Sequence, residues 1–385
     1  MLPEGVIEPT PKPILANAEA GPRQRRSRIL ANAEADPRHR PVEPRAAFKM
    51  PYLSAHLLDR CNEWLVHYRL GGRQRPATGE GMGQALVELA AAGHPSPATI
   101  GRLHPEPAGG DLWQARSPWP RVEGANARWW AACVGPAGSR AAAAAGADNG
   151  GRPPALILLH GWLMDRPQEL LYRSWARRAA RHGIEVWMPR LPFHRERAGP
   201  GEISGERCLS ADLTTTFGAV TQAVAETRLL ATWLRDRGAP RVGLWGMSLG
   251  GWVGALVATL DDDWDALALW APVAEPTAVL WESRLVDGMR AAIVAGGINA
   301  ADLDSEAFDA LTPARRDPLV PRQRTLLVGA IHDQVVAPAS IRRLARRWHV
   351  DVRWVPHGHI SLMLSRASVA DTVAFLAAAL GEPVR

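Results

Sequence analysis

Residues 242–260 read VGLWGMSLGGWVGALVATL, an apolar strand pattern that passes through Gly-Met-Ser-Leu-Gly into an apolar helix pattern. In a strand-to-helix turn this tight, Gly246 and Gly250 leave room that a Cβ would fill, and they tolerate backbone angles closed to other residues. The turn would hold the Ser248 hydroxyl at the carboxyl end of the strand, above the first turn of the helix. This stretch therefore predicts a serine nucleophile.

Short apolar runs alternate with helical patterns on both sides of this stretch. The predicted strands are 111–117, 127–134, 155–159, 185–188, 241–245, 266–270, 325–328 and 350–355, and the predicted helices are 166–182, 212–237, 249–260, 338–348 and 362–380. Strands that are apolar on both faces and separated by helices are typical of a parallel sheet covered on both sides. Such sheets bind ligands at the carboxyl ends of their strands, where Ser248 is expected.

Partners for the serine follow it in the order acid, then histidine. A serine hydroxyl needs a base near neutral pH, normally a histidine oriented by a carboxylate. Asp333 directly follows a predicted strand, and Glu275 is the alternative acid. The segment WVPHGHIS (354–361) offers two histidines, of which the glycine before it and the apolar helix after it favour His359 over His357.

Backbone N–H groups must stabilise the oxyanion that acyl attack creates. One predicted donor is the N–H of Leu249, at the positive end of the helix after the serine. The other is the N–H of Trp162, in the sequence HGW that follows the predicted strand 155–159. His160 is interpreted as a hydrogen-bonding brace of that loop.

These segments together resemble the α/β-hydrolase superfamily over residues 111–385. The resemblance rests on HGW at 160–162, GMSLG at 246–250, Asp333 and His359, and it implies a mostly parallel central sheet with helices on both faces. LPFHRER (191–197) and SGE (204–206) are similar to the bacterial members related to the abhydrolase-domain-18 type. Serine at the turn implies acyl transfer through a serine ester.

About fifty residues separate the strands that end at Trp270 and begin at Thr325, far more than a plain connection needs. Apolar residues at helical spacing predict a small helical lid over residues 271–320, and the loop 190–210 is expected to form another wall of the pocket. The residues predicted to contact substrate are Met247, Phe193, His194 and Trp281.

Composition narrows the class of partner. All but two of the 45 basic residues are arginine in a chain rich in Ala, Gly and Pro, and the net charge is only +6, so nucleic acid is not an expected partner. The three cysteines form no metal-binding pattern and no apolar stretch reaches the length of a membrane helix, which predicts a cytoplasmic protein without an integral membrane segment. The proposed chemistry needs no metal and no cofactor.

The N-terminal region carries a repeat: residues 14–25 return with few changes at 29–40. Arginine-rich, proline-broken copies cannot build a core, which predicts a disordered arm; a translation start at Met50 is the alternative. The predicted organisation is an arm over 1–49, a helical extension over 50–110 and the α/β-hydrolase domain over 111–385.

The function predicted from the sequence is hydrolysis of a small-molecule carboxylic ester. A serine peptidase, thioesterase or acyltransferase would use the same residues, so these remain alternatives within enzymes. A catalytically silent binding protein on the same fold is the alternative from another class. Oligomeric state is left open.

Overall fold

The computed structural model of the chain describes residues 52–70, 73, 88, 93–120, 122–136, 151–304 and 306–381. The predicted arm over 1–49 lies outside these residues. Within them, no helix is both long enough and apolar enough to cross a membrane.

A mixed sheet forms the centre of the described fold. Its strands are Glu106–Gly109 (β1), Leu112–Arg116 (β2), Arg128–Val134 (β3), Ala155–Leu159 (β4), Glu185–Pro189 (β5), Val242–Met247 (β6), Ala266–Trp270 (β7), Thr325–Ala330 (β8) and Val352–Val355 (β9). They lie in the order β1-β2-β3-β5-β4-β6-β7-β8-β9. Pairing is antiparallel from β1 to β5 and parallel from β5 to β9. The eight predicted strands are confirmed, whereas β1, with the unpromising sequence EPAG, was not predicted.

Helices precede the sheet and connect its strands. They are Tyr52–Leu70 (α1), Pro97–Ile100 (α2), Arg166–Ala180 (α3), Leu213–Asp236 (α4), Leu249–Ala258 (α5), Pro276–Glu282 (α6), Asp287–Ala295 (α7), Pro338–Trp348 (α8), His359–Met363 (α9) and Arg366–Gly381 (α10). The five predicted connecting helices are confirmed within a few residues. The last pattern divides into α9 and α10, so a separate short helix begins at His359.

Alternate residues of the central strands enter two different cores, as the two-residue period of a strand requires. Leu244 packs on the face covered by α4 and α5, and its neighbour Trp245 packs on the face covered by α3 and α10. On the second face, Trp245 stacks on Trp175 with ring centroids 5.0 Å apart, and Trp270 lies 5.1 Å from Trp175. Such aromatic pairs contribute about 0.5–1.5 kcal/mol each beyond their buried area.

Helix α1 lies within the predicted helical extension over 50–110, and its large apolar residues face outward. Leu57, Trp64 and Tyr68 are 63%, 67% and 75% exposed. The buried positions are Ala55, Asp59, Glu63, Val66 and Leu70, and two of these carry carboxylates. The helix therefore exposes its large apolar side chains and buries a face that carries two carboxylates.

The insertion between β7 and β8 is helical, as predicted. Helices α6 and α7 are joined by a short 3-10 turn at Arg284–Val286. Leu280, Leu285 and Ile293 are buried against the core on the α5 side of the sheet. The insertion is thus held in place over the carboxyl ends of the parallel strands by apolar burial.

Candidate active site

Ser248 lies in the turn between β6 and α5 with φ 55° and ψ −113°. A positive φ at a residue with a Cβ costs on the order of 1–3 kcal/mol and persists only where the surroundings enforce it. Here the Ser248 N–H donates to the Trp270 carbonyl at 2.9 Å, and the Trp252 N–H donates to the Ser248 carbonyl at 2.8 Å. Bonds to a neighbouring strand and to the following helix therefore hold the serine in its strained conformation.

The flanking glycines act through space rather than through unusual backbone angles. A Cβ on Gly246 would lie 2.2 Å from the Gly250 oxygen, and one on Gly250 would lie 2.4 Å from the Leu159 oxygen. Both obstacles are backbone atoms, which cannot move aside as a flexible side chain would. The strain expected at these glycines is found at Ser248 itself.

The three predicted side chains meet at the end of the sheet. Nε2 of His359 lies 2.9 Å from Ser248 Oγ, and Nδ1 lies 2.8 Å from Asp333 Oδ2. Asp333 Oδ1 accepts the N–H groups of Val335 and Val336, each at 2.8 Å. Since one carboxylate oxygen is occupied by the backbone, the other is fixed toward the imidazole.

The imidazole of His359 is buried, yet its surroundings raise its pKa above the ordinary value for histidine. Burial alone would lower the pKa of His359; the charge and hydrogen bond of Asp333, together with the charge of Asp59, outweigh burial and raise the pKa. A nearby carboxylate that stabilises the imidazolium makes the ring a stronger base toward the serine proton.

The alternative acid and base have other partners. Glu275 accepts a hydrogen bond from Arg343 Nε at 2.7 Å. His357 has its pKa lowered by burial and by the charge of His332, and its carbonyl accepts the His332 N–H at 3.0 Å. Among the described contacts, neither residue is hydrogen-bonded to Ser248.

A cavity of about 720 Å³, counting its open mouth, adjoins Ser248. Its lining is mostly apolar and includes two of the expected residues, Trp162 and Leu249. The predicted lid supplies Val273, Pro276, Thr277, Val279, Leu280, Leu285, Val286, Met289 and Leu303 to the wall. From the loop 190–210, Leu209 reaches the lining.

The loop after β4 is braced against the serine. A Cβ on Gly161 would lie 3.7 Å from Ser248 Cβ, and the Gly161 N–H donates to the Tyr172 hydroxyl at 2.8 Å. His160 Nε2 accepts the Leu191 N–H at 3.1 Å, which agrees with its interpretation as a brace. The Trp162 indole N–H donates to the Gly205 carbonyl at 2.8 Å. Across the serine, the N–H of Leu249 is the first of α5 and has no acceptor within that helix.

Two of the predicted substrate contacts are wrong because of strand and helix geometry. Met247 is fully buried among Trp245 and Trp270 on the opposite face of the sheet, since neighbours along a strand point to opposite sides. Trp281 packs against the core without lining the cavity, and its neighbours Val279 and Leu280 line it instead.

The other two predicted contacts belong to the packing behind the wall. His194 is fully buried, its Nδ1 lies 3.0 Å from the Pro192 carbonyl, and its ring packs 4.7 Å from that of His160. Phe193 has a positive φ of 63° and lies under the guanidinium of Arg207, outside the cavity lining. Both residues shape the loop and make no contact with the cavity.

Sequence reasoning missed Asp59, which reaches the site from α1. Its Oδ2 accepts the N–H groups of His359 at 2.9 Å and Gln334 at 3.2 Å, and its Oδ1 accepts the N–H of Ile360 at 2.9 Å. The only available signal was a carboxylate inside a predicted helix. Most helices carry carboxylates on a solvated face, so this signal is weak.

Among the described residues, no cluster of three or more His, Cys, Asp or Glu is arranged to hold a metal ion.

Comparisons with known proteins place this architecture. No family model matches the chain. Two uncharacterized proteins of Mycobacterium tuberculosis strains are 29% identical to it over 221 residues, covering 55% of this chain and 51% of theirs. The chain thus spans about half the length of the curated relatives it matches.

Among solved structures, an acetyl xylan esterase from a Paenibacillus species aligns with a TM-score of 0.50 at 13% identity, covering 78% of this chain and 97% of that one. Acetyl xylan esterase 1 from a Thermoanaerobacterium species aligns with a TM-score of 0.48 at 16% identity, covering 86% and 99%. At such low identity the likeness concerns architecture. Together with the sheet order and the serine turn, the alignment with the Paenibacillus esterase shows that the chain has the α/β-hydrolase fold.

Proposed function

We propose that the protein is a serine hydrolase that cleaves a carboxylic ester through an acyl-enzyme intermediate. The observation that carries this proposal is the unbroken hydrogen-bonded chain from Ser248 Oγ through His359 to Asp333, at the rim of an apolar cavity. Side chains far apart in sequence have no packing reason to converge in this way. The strained backbone of the serine adds support, because such strain concentrates at functional sites.

In the first half of the reaction, His359 Nε2 takes the proton from Ser248 Oγ as the oxygen attacks the ester carbonyl carbon. The carbonyl oxygen becomes an oxyanion, for which the N–H groups of Leu249 and Trp162 are the proposed donors. Each such donor contributes about 3–4 kcal/mol of transition-state stabilisation in enzymes of this kind. The intermediate then collapses, the bond to the alkoxy oxygen breaks, and the imidazolium protonates the departing alkoxide to give the alcohol.

In the second half, water replaces the alcohol. His359 takes a proton from the water as it attacks the acyl carbon, and the tetrahedral intermediate collapses to release the carboxylic acid. The same imidazole returns the proton to Ser248 Oγ. Asp333 holds the ring in the required tautomer throughout and stabilises its positive charge without itself becoming protonated.

The lining of the cavity favours an apolar acyl or aromatic group. Leu280, Leu285 and Met289 from the insertion line it together with Phe217 of α4 and Trp252 of α5. No charged side chain is among the residues that line this cavity. A small-molecule ester with an apolar acyl portion is therefore the proposed substrate class.

Covalent labelling with a fluorophosphonate probe tests for an activated serine. We expect the wild-type protein to label and Ser248→Ala to show no labelling, because the probe reacts only with a serine whose proton is removed by a base. Ser174→Ala, which removes a hydroxyl bound to the Leu171 carbonyl, is the matched control and should label like wild type. Absence of labelling in folded wild-type protein would favour a catalytically silent binding protein.

A panel of esters, thioesters and amides then separates the alternatives. Among p-nitrophenyl esters from acetate to palmitate, the proposal expects the highest kcat/KM with chains longer than acetate. A preference for thioesters or peptide amides would point to a thioesterase or peptidase, and a requirement for an alcohol acceptor to an acyltransferase.

Membership of the bacterial group related to the abhydrolase-domain-18 type is part of the same proposal and is supported by segments 191–197 and 204–206.

A further inference from the structure

A carboxylate from α1 is buried directly behind the proposed catalytic histidine. Asp59 is fully inaccessible to solvent and accepts three backbone N–H groups from two segments. His359 and Ile360 belong to the turn that carries the imidazole, and Gln334 is next to Asp333. One side chain therefore ties together the two loops that hold the base and the acid.

The backbone at Gly358 is adapted to this approach. A Cβ at position 358 would lie 2.7 Å from Asp59 Oδ2 and 2.9 Å from its Cγ. Gly358 has φ −88° and ψ −176°, an extended conformation that any residue adopts. The glycine is therefore required by the proximity of the carboxylate and not by its own backbone angles.

Helix α1 is anchored so that Asp59 cannot drift from this position. Ala55, Val66 and Leu70 are buried, and the last two join the main core. His67 Nε2 lies 2.9 Å from the Arg284 carbonyl in the insertion, and Arg69 pairs with Asp165 at 3.4 Å. Contacts on both sides of Asp59 thus fix the helix to the hydrolase fold.

We propose that Asp59 is a positioning residue of the active site, which holds the backbone of His359 and stabilises the imidazolium from behind. This inference rests on the proposed function. It extends the active site to α1, a helix that precedes the sheet in the chain. Asp59 contacts no atom of the triad side chains through the hydrogen bonds described, so it acts through His359 rather than on the substrate.

Several ionisable groups lie around His359, and two of them act on its pKa. Asp333 and Asp59 both raise the pKa of His359. His357 and His332 lie on the adjoining loops, with His56 of α1 beside His332. Glu63, one turn after Asp59, is buried beside Arg60 and interacts electrostatically with Asp59.

The test is the titration of the His359 imidazole, followed by NMR in wild-type protein and in Asp59→Asn, with the signal assigned by His359→Gln. Loss of the negative charge should lower the pKa of His359 by about one unit of pH. The acid limb of kcat/KM for a p-nitrophenyl ester should move to lower pH by the same amount, and kcat should fall about tenfold or more because the turn loses its anchor.

Glu63→Gln is the matched control, since it removes a buried carboxylate from the same helix without touching His359. Its imidazole titration and its acid limb should coincide with those of wild type. If Asp59→Asn lowers the melting temperature while the titration of His359 stays at the wild-type value, Asp59 is a structural residue only and the proposal is overturned.

Gly358→Ala provides a second route that leaves Asp59 intact. The added methyl must displace the carboxylate, so this variant should shift the His359 titration in the same direction as Asp59→Asn. In an Asp59→Ala background the three atoms nearest to the added methyl are gone, and its effect on kcat should largely disappear. Equal effects of Gly358→Ala in both backgrounds would contradict the proposed contact.

The titration also separates this proposal from the proposed function. If the wild-type protein neither labels nor hydrolyses any ester, the hydrolase proposal fails, whereas the NMR shift still decides the influence of Asp59 on His359. Conversely, an active enzyme whose His359 titration ignores Asp59 leaves the hydrolase proposal standing and refutes this one.

Discussion

Two buried histidine sites in this molecule differ in the charge that surrounds them. His160, in the loop after β4, packs against His194, and the two residues are 2% and 0% exposed; His359, the first residue of α9, is 5% exposed. Burial lowers the pKa of His194 to about 4, with the charge of Arg197 acting in the same direction, and the pKa of His160 is lowered well below its usual value by burial and by His194. At His359, Asp333 and Asp59 reverse the effect of burial. Neighbouring charge, more than depth, separates a neutral brace from a candidate base.

Removal of the proposed base should have the greatest effect on turnover. His359→Ala should lower kcat by roughly a million-fold, the scale seen when a serine hydrolase loses its histidine. His357→Ala, which removes the alternative base, should change kcat less than threefold. Steady-state hydrolysis of a p-nitrophenyl ester measures both. If His357→Ala were the damaging change and His359→Ala harmless, the assignment of the base would be wrong.

Removing the charge beside the base should have the next largest effect. Asp333→Asn keeps an oxygen for the N–H groups of Val335 and Val336 but turns an amide NH₂ toward His359 Nδ1, which imposes the wrong tautomer. We expect kcat to fall about ten-thousand-fold. Glu275→Gln, at the alternative acid, should retain wild-type turnover within threefold. If Asp333→Asn lowered kcat only slightly, the carboxylate of Asp333 would have no role in the proposed mechanism.

The smallest effect concerns His194, one of the two buried histidines whose pKa is lowered. It is expected in the free energy of unfolding and not in turnover. Because the pKa of His194 is lowered to about 4 in the folded protein, the unfolded chain binds the additional proton as pH falls from 6.5 toward 4. The free energy of unfolding should therefore decrease over that range, by roughly 1–2 kcal/mol from His194 between pH 7 and pH 5. Urea unfolding at the two pH values measures this. Between pH 7 and pH 5, the free energy of unfolding of His194→Gln should fall by that much less than the wild-type value.

The exposed histidine His182 serves as the control for this measurement. His182→Gln should show the same pH dependence as wild type. At His359 the sign is opposite: its raised pKa contributes stability below pH 6.5 that is lost as pH rises through the folded value. If His194→Gln lost as much stability on acidification as wild type, the interpretation of His194 as a neutral buried brace would be contradicted.

Features that depend on neighbouring residues along the chain could be predicted from the sequence. Each proposed triad member follows an apolar strand, and strand ends meet at one edge of a parallel sheet, so Ser248, Asp333 and His359 could be placed without coordinates. The helical insertion could also be predicted, because it interrupts a regular alternation with fifty additional residues. These features need only neighbouring residues to be recognised.

Features that depend on side-chain direction or on distant contacts were missed. Met247 adjoins the serine in sequence yet points to the opposite face of β6, and Trp281 is on a lining helix but turned toward the core. The exposed apolar stripe of α1 concealed a buried face that carries Asp59. No local pattern connects Asp59 to the turn of His359, because the contact forms only once α1 has packed.

The close fit between Asp59 and Gly358 has an evolutionary consequence. A homologous chain that keeps the aspartate has no space for any larger residue at 358, although the local conformation would permit one. A lineage that replaces the aspartate with a small side chain is released from that restriction. The two positions, distant along the chain, are thus expected to co-vary, with selection on each conditional on the other.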